Sequence, residues 1–297
     1  MKSQLAQTEK GPIEYTLLGA GPIVLVCHGT SSDCYSTAIT GRLPESGFSV
    51  LTPSRPGYGS TPLEVGPSTE AAALGLVALL DALEIETCSL IAISGGGPTG
   101  IALAANHPQR VRRLVLAVAI SNPTDRRNEP SYQQQMTFYG SAHNLMWGMF
   151  GLIARLSPRA MARQTMATFS THDPDDALKQ LSAADLQDIS RFYRGRSSRQ
   201  GALNDFTHAL GSEALGSIHQ PTLVIHSRED RAVPFSQAKW SLAHLPQAEL
   251  CEAGCTGHFF WVGPDFARIE QRLISFLRET ALQEVPPTPQ PLPEPVA

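Results

Sequence analysis

Leu90-Ile91-Ala92-Ile93-Ser94-Gly95-Gly96-Gly97-Pro98-Thr99-Gly100 is the segment from which the architecture of this chain is best inferred. An apolar run typical of a buried strand turns at Ser94 into glycines, and a helical pattern follows from Ile101. A serine on such a strand-to-helix corner has a strained backbone, so the residues two before and two after it must be small; here they are Ala92 and Gly96. The segment predicts a Ser94 hydroxyl exposed at the strand's carboxyl end, beside the positive end of a helix dipole.

Similar apolar, β-branched runs recur along the chain and alternate with helical patterns. One helix is predicted after Thr69 as N-cap, with an apolar stripe at Leu76, Leu79, Leu80 and Leu83. This alternation predicts an α/β fold with a parallel sheet, in which ligands bind outside the carboxyl ends of the strands. The predicted buried strands are 23–27, 49–51, 88–93, 114–120 and 222–225, and a last strand is expected near 248–251.

Between residues 122 and 217 the strand patterns disappear and helical patterns replace them. We therefore predict a core formed by residues 1–121 and 218–283, with 122–217 inserted as a helical cap. Residues 284–297 contain six prolines and are predicted to be an extended tail.

The composition limits the classes of function. The 297 residues are 42% hydrophobic and carry a formal net charge of -4, which is ordinary for a globular enzyme. No long run of lysine or arginine is present, so neither nucleic acid nor a membrane surface is expected as a partner. With no signal-like segment and no long apolar stretch, we expect a cytoplasmic protein that is a monomer or homodimer.

The five cysteines are an odd number without a secretion signal, which indicates reduced thiols. Cys251 and Cys255 lack a second Cys/His pair at metal-ligand spacing, so no metal site is expected.

A nucleophilic serine needs a base and an acid that orients the base. Strand-to-helix serine nucleophiles are followed in the chain first by the acid and then by the histidine. Asp230 lies just after the predicted strand 222–225, and His258 follows the last strand in a loop with Gly257. Ser94, Asp230 and His258 are therefore the predicted catalytic residues, with Glu229 as the alternative acid.

Acyl transfer also needs hydrogen-bond donors for the oxyanion that forms during attack. The predicted donors are the backbone amides of Gly95 and of Thr30, which follows Gly29 in the turn after the first buried strand. Methionine and aromatic side chains in the inserted segment predict an adaptable apolar pocket above the serine. The candidate pocket residues are His28, Gly29, Met136, Tyr139, Met146, Trp147, Phe150 and Phe259.

Four segments spread over nearly the whole chain resemble the α/β-hydrolase fold family: His28-Gly29-Thr30, Arg55-Pro56-Gly57-Tyr58-Gly59-Ser60, Ile93-Ser94-Gly95-Gly96-Gly97, and Asp230-Arg231-Ala232-Val233-Pro234 with Gly257-His258. The resemblance implies an eight-stranded, mostly parallel sheet flanked by helices, a helical cap, a Ser94-Asp230-His258 triad and no cofactor. Ala92 and Ser227 stand where the family often has glycine, and the turn after Gly29 lacks the extra glycines of lipases.

These observations predict a serine hydrolase that cleaves a small ester or lactone through an acyl-enzyme. Carbon-carbon bond hydrolases, amidases or iminopeptidases, and perhydrolases of the same fold remain open alternatives. Gly95, Gly97 and Gly100 also match the G-x-G-x-x-G pattern of dinucleotide-binding oxidoreductases, but residues 114–122 lack the acidic residue that this pattern needs. A non-catalytic receptor for a small molecule is a third alternative.

Overall fold

The computed structural model describes residues 1–122, 138–211, 213–254 and 256–279. In that part of the chain, eight strands form a single sheet. The strands are β1 (Gln4–Thr8), β2 (Gly11–Leu18), β3 (Ile23–Cys27), β4 (Ser49–Pro53), β5 (Cys88–Ile93), β6 (Val111–Ala117), β7 (Thr222–Ser227) and β8 (Ala248–Ala253). The helices are α1 (Thr69–Ala82), α2 (Gly97–Asn106), α3 (His143–Leu156), α4 (Pro158–Phe169), α5 (Pro174–Lys179), α6 (Ala183–Arg194), α7 (Arg199–Asp205), α8 (Ser236–His244) and α9 (Phe266–Arg278).

The strand order in the sheet is β1-β2-β4-β3-β5-β6-β7-β8. β2 pairs antiparallel with both β1 and β4, and every other pairing is parallel. β4 lies on one side of β3 and β5 on the other, so the chain reverses its direction of winding at β3. In open sheets of this kind, ligands bind at the carboxyl edge beside such a reversal. Cys27 pairs with Ala92 there, so the turns after β3 and β5 leave the sheet side by side.

Alternation along the central strands explains why helices cover both faces of the sheet. Leu90 belongs to the apolar cluster that contains Leu79 of α1 and Ile101 of α2. Its neighbour Ile91 belongs to the cluster on the opposite face, which contains Leu273 of α9. Buried on both faces, these strands read as continuous apolar runs. The predicted architecture, an eight-stranded, mostly parallel sheet flanked by helices, is confirmed.

Local boundaries differ from the expectations at several elements. β6 covers Val111–Ala117 instead of the predicted 114–120, because the chain leaves the sheet after Ala117 and Val118 has a positive φ of 42°. The N-cap of α1 is Ser68 rather than Thr69, because the Ser68 hydroxyl accepts a hydrogen bond from the Ala71 amide at 3.2 Å. Thr69 instead donates its hydroxyl to the carbonyl of Ala209. The β1–β2 hairpin was not predicted because β1 is polar and mostly exposed, so it lacks the apolar run that marks a buried strand.

Helices α3 to α7 lie between β6 and β7 in the chain, and we call residues 138–211 the cap. The elements described in this range are helical, residues 123–137 and the tail 284–297 lie outside the described part, and the division into a core and a cap at 122–217 stays a prediction. One face of α3 is apolar and exposed: Leu145, Met149, Leu152, Ile153 and Leu156. No helix within the described ranges is both long and apolar enough to span a bilayer.

Candidate active site

Ser94 sits on the corner between β5 and α2 with a positive φ of 49°, a conformation that residues other than glycine rarely adopt. A single 3₁₀ turn, Ser94–Gly96, joins the strand to the helix. The Ser94 carbonyl accepts a hydrogen bond from the Ile120 amide at 3.1 Å, which ties the corner to the chain after β6. The strained serine expected from the sequence is therefore present.

Backbone crowding around this corner accounts for its glycines. A Cβ atom on Gly96 would overlap the carbonyl oxygen of Cys27, and one on Gly97 would overlap that of Ile120. A Cβ on Gly100 would lie 2.5 Å from the Cβ of Ala92, so the helix could not approach the strand. The pattern that resembles a dinucleotide fingerprint thus follows from close packing of α2 against the sheet.

Asp230 and His258 are in direct contact. The turn after β7 carries Asp230, whose Oδ1 accepts hydrogen bonds from the amides of Ala232 and Val233, both at 2.8 Å. Its other oxygen, Oδ2, lies 2.7 Å from Nδ1 of His258. Since a carboxylate is an acceptor, Nδ1 carries the proton in this contact, and Nε2 is left to act as a base.

Two neighbours of Asp230 complete this side of the site. His226, which the sequence analysis did not single out, donates Nε2–H to the Val233 carbonyl at 2.8 Å and lies 3.6 Å from Asp230 Oδ2. Burial lowers the pKa of His226, so its ring is neutral beside the carboxylate. Glu229, the alternative acid, accepts a hydrogen bond from the hydroxyl of Thr171, and its carboxylate makes no bond to His258 in the described contacts.

Ser94 and His258 line the same cavity. No hydrogen bond joins the Ser94 hydroxyl to the imidazole among the described residues, and such bonds are often long in enzymes without bound substrate. The ring of Phe169, at the end of α4, stacks against His258 with centroids 5.9 Å apart. The cap therefore packs directly against the predicted base.

The turn after β3 lies against the serine corner. A Cβ on Gly29 would lie 3.3 Å from the Cβ of Ser94, and one on Gly95 would overlap the hydroxyl oxygen of Thr30. Gly95 and Thr30, the two predicted oxyanion donors, are thus immediate neighbours. Because residues 28–31 carry one of these predicted donors, we call them the oxyanion turn.

Beneath this turn is a buried ion pair that no pattern in the sequence indicates. Arg55 and Asp205 are joined by two hydrogen bonds of 2.5 and 2.8 Å, and their side chains are 1% and 4% exposed. Arg55 comes from the loop after β4, and Asp205 ends α7 of the cap. The segment Arg55-Pro56-Gly57-Tyr58 was among those that resemble the family, and it contains one member of the pair. The sequence around Asp205 contains no motif that indicates the other member.

The cavity has a volume of about 300 Å³ and is mainly apolar. Of the predicted pocket residues, it is lined by Gly29, Tyr139, Trp147, Phe150 and Phe259. Further apolar lining comes from both the sheet edge and the cap: Ile39, Ile93, Ile120, Phe138, Met161, Phe169, Phe192, Tyr193, Val233 and Trp261.

Two predicted pocket residues lie elsewhere. His28 is fully buried at the start of the oxyanion turn, where its Nε2 accepts the Arg55 amide at 3.0 Å and its Nδ1 donates to the Gly29 carbonyl. Burial, together with the nearby Arg55 charge, lowers the pKa of His28 to about 3, so it is a neutral structural group. Met146 is on α3 but does not line the cavity, and Met136 lies outside the described residues.

Charge is scarce in this cavity. Apart from His258, Arg231 is the titratable cation among the described lining residues. Its side chain is exposed and donates to the Ala167 carbonyl at 2.7 Å. No group of three or more His, Cys, Asp or Glu with the geometry of a metal site occurs in the described ranges.

Known proteins similar to this chain include several hydrolases. The uncharacterized hydrolase YcgS of Bacillus subtilis (strain 168) is 34% identical over 90% of this chain and 95% of its own. A 2-hydroxy-6-oxononadienedioate/2-hydroxy-6-oxononatrienedioate hydrolase of Cupriavidus pinatubonensis is 26% identical over 92% of this chain and 93% of its own. A pimeloyl-[acyl-carrier protein] methyl ester esterase of Aromatoleum aromaticum is 29% identical over 75% of this chain and 84% of its own.

Among solved structures, an alpha/beta hydrolase fold protein from Nakamurella multipartita is similar, with a TM-score of 0.80 and 27% identity. The alignment covers 93% of this chain and 99% of that one. The family model described as alpha/beta hydrolase fold matches residues 22–263, which span the sheet from just before β3 to the turn carrying His258. On this match, and on the sheet order that accompanies it, the chain belongs to the α/β hydrolase fold family.

Proposed function

We propose that this protein is a serine hydrolase that cleaves small, uncharged carboxylic esters, lactones included, through an acyl-enzyme. The contact between Asp230 Oδ2 and His258 Nδ1, at 2.7 Å, facing a cavity that Ser94 also lines, is the observation that carries the proposal. Three segments distant in the sequence bring a hydroxyl, an imidazole and a carboxylate to one place, which is the arrangement acyl transfer needs.

In the first half of the reaction, Ser94 Oγ attacks the ester carbonyl while His258 Nε2 takes the hydroxyl proton. The carbonyl oxygen becomes an oxyanion that accepts hydrogen bonds from the amides of Thr30 and Gly95. When the intermediate collapses, the bond to the alcohol oxygen breaks and His258 returns the proton to the departing alcohol. Asp230 keeps Nδ1 protonated and favours the imidazolium that exists between these steps.

In the second half, water attacks the acyl carbonyl and gives a proton to His258. The new intermediate collapses with loss of Ser94 Oγ, which recovers its proton as the carboxylic acid is released. Every proton therefore moves through one imidazole, and no redox partner is needed.

The lining of the cavity supports an uncharged substrate of modest size. A charged group placed among the described apolar side chains would lose its hydration with few polar partners in exchange, which is unfavourable. The volume, about 300 Å³, is at the small end of ligand pockets. The dicarboxylate named for the Cupriavidus relative has two charges that Arg231, already bonded to Ala167 and exposed, does not match.

The test uses a fluorophosphonate probe together with p-nitrophenyl esters of graded acyl length. We expect labelling of the wild-type protein at Ser94 and faster hydrolysis of acetate and butyrate esters than of decanoate. Ser94→Ala should lose labelling and lower turnover by roughly 10⁴-fold or more. Ser217→Ala, which removes an exposed serine at the surface, is the matched control and should keep both.

Circular dichroism and thermal melting would show that Ser94→Ala is folded. Ester turnover in a folded Ser94→Ala protein equal to that of wild type would refute the proposal. Cleavage of dienoic diketo acids at a higher kcat/KM than any ester would replace it with carbon-carbon bond hydrolysis.

A further inference from the structure

Asp205 is a buried carboxylate at the end of α7 that binds three residues from two segments of the core, the turn after β3 and the loop after β4. Its Oδ2 accepts hydrogen bonds from the Thr30 hydroxyl at 2.8 Å, the Tyr58 hydroxyl at 2.7 Å and Arg55 Nη2 at 2.8 Å. Its Oδ1 accepts from Arg55 Nη1 at 2.5 Å. All these donors come from the core, whereas Asp205 comes from the cap.

The charge state of this cluster is fixed by the ion pair. Burial would raise the pKa of Asp205, but the Arg55 charge and its hydrogen bonds outweigh burial, and the pKa lies below its usual range. Burial would likewise lower the pKa of Arg55, and the Asp205 charge raises it above its ordinary value. Both groups are therefore ionised, and each is the main compensation for the other in a place that water does not reach.

Through this pair, the cap holds the oxyanion turn from two sides. Arg55 Nε donates to the His28 carbonyl at 2.7 Å, and the Arg55 amide donates to the ring of His28. At the other end of the turn, the Thr30 hydroxyl donates to Asp205. The backbone on either side of Gly29 is thus anchored to one ion pair.

A second contact from the cap reaches the next residue. Ser31 has a positive φ of 62° and shares a short hydrogen bond with the hydroxyl of Tyr139, which lines the cavity. A conformation of this kind persists only where the surrounding structure enforces it. Two consecutive residues of the turn are therefore bound by the cap rather than by the sheet that precedes them.

We propose that Asp205 is a positioning residue for the oxyanion hole: by accepting the Thr30 hydroxyl, it sets the orientation of the Thr30 amide beside Gly95. This inference rests on the proposed function, in which the Thr30 amide donates a hydrogen bond to the oxyanion. Asp205 itself does not touch the reacting atoms. Removing its bond to Thr30 leaves the donor present but free to turn away, so the transition state loses stabilisation that the ground state never had.

Thr30→Val is the sharpest variant because valine keeps the shape and the backbone amide and removes only the hydroxyl donor. We expect kcat for p-nitrophenyl butyrate, per site titrated with fluorophosphonate, to fall by ~10- to 100-fold, with KM changed less than about threefold. Thr30→Ser restores a hydroxyl and should recover most of that loss. Titration of sites matters, since a merely structural role lowers the number of active molecules and not the turnover of each.

Asp205→Ala, which removes both acceptor oxygens, provides the second arm. Alone it should lower kcat to a similar extent, and the further effect of Thr30→Val on that background should be much smaller, because both changes remove the same hydrogen bond. Asp175→Asn is the control, since it breaks the ion pair between Asp175 and Arg163 on the exposed surface of the cap. That variant should keep both kcat and KM.

The outcomes separate this inference from the proposed function. If wild-type protein neither reacts with fluorophosphonate nor cleaves any ester, the proposed function fails and the positioning role falls with it. If wild type does both, and Thr30→Val retains kcat per titrated site within twofold, only the positioning role of Asp205 is overturned. Should Asp205→Ala fail to fold, the comparison of Thr30→Val with Thr30→Ser still decides.

Discussion

Asp230 uses its two carboxylate oxygens for two separate tasks. Oδ1 accepts the amides of Ala232 and Val233, which fixes the plane of the carboxylate, and Oδ2 then meets His258 in a set direction. An asparagine could satisfy only one of these tasks with its single oxygen. Its NH₂ group would face either two amide donors or the Nδ1 proton of His258.

We expect Asp230→Asn to lower kcat for ester hydrolysis by about 10⁴-fold, because the imidazole is then driven to the tautomer that cannot take a proton from Ser94. Steady-state kinetics with p-nitrophenyl butyrate measure the effect. Glu229→Gln is the matched control, since Glu229 is adjacent in sequence and bonds Thr171 instead. A larger loss in Glu229→Gln than in Asp230→Asn would reassign the acid.

Among the individual residues, Ser94, Asp230 and His258 could be predicted from the sequence as candidate site residues. Asp205 and His226 could not. The first three follow strand ends and glycine turns, so their surroundings in the chain indicate their place at the sheet edge. Asp205 ends a short helix among many polar residues, and its partner Arg55 is 150 positions away. Only the folded chain shows that the two meet.

Among the elements, α2 shows how closely a helix can approach a strand. Gly100 faces Ala92 of β5 with no room for a methyl group, and in α3 Gly148 would present a Cβ to open space. Replacement of glycine by alanine at Gly100 and at Gly148 is therefore expected to change the free energy of unfolding in opposite directions.

Gly100→Ala should lower the free energy of unfolding by about 1–3 kcal/mol, since overpacking outweighs the gain in helix propensity. Gly148→Ala should raise it by about 0.5–1 kcal/mol because alanine restricts the unfolded chain and clashes with nothing. Urea unfolding followed by circular dichroism gives both values. If both variants changed the free energy of unfolding by the same amount and in the same direction, the contact between Gly100 and Ala92 would not limit how closely α2 approaches β5.

The elements themselves were predictable where burial leaves a pattern. Five apolar runs became the strands β3 to β7, because strands covered on both faces must be apolar throughout. β1 has only one buried residue in five, so its pairing with β2 depends on backbone hydrogen bonds that no side-chain pattern reveals. The cap helices were predictable as helices, whereas their contacts with the oxyanion turn were not.

Over the whole molecule, buried histidines couple stability to pH. Burial lowers the pKa values of His28, His208 and His226, that of His28 to about 3. The unfolded chain has ordinary imidazoles with pKa near 6.5, so below that pH it binds protons that the folded chain does not. The stabilisation is complete above about pH 6.5 and is lost as the pH falls.

We therefore expect the free energy of unfolding to decrease between pH 6.5 and 5, with each of these histidines contributing at most about 1.4 kcal/mol per pH unit. Urea titrations at several pH values measure the slope. In His226→Gln, the amide group can still donate to the Val233 carbonyl, and the slope should be smaller by at most about 1.4 kcal/mol per pH unit. Stability that stays constant from pH 7 to 5 would contradict this account.

The ion pair between Arg55 and Asp205 also limits which caps can be combined with this core in a chimeric protein. If the cap were replaced by one from another protein, the Arg55 guanidinium would stay buried without a counter-charge. An unpaired buried charge destabilises a protein more than imperfect packing between cap and core does. Chimeras should therefore fold when the replacement cap brings a carboxylate to the place of Asp205. They should fail to fold when it does not, even if the packing of the replacement cap against the core is better.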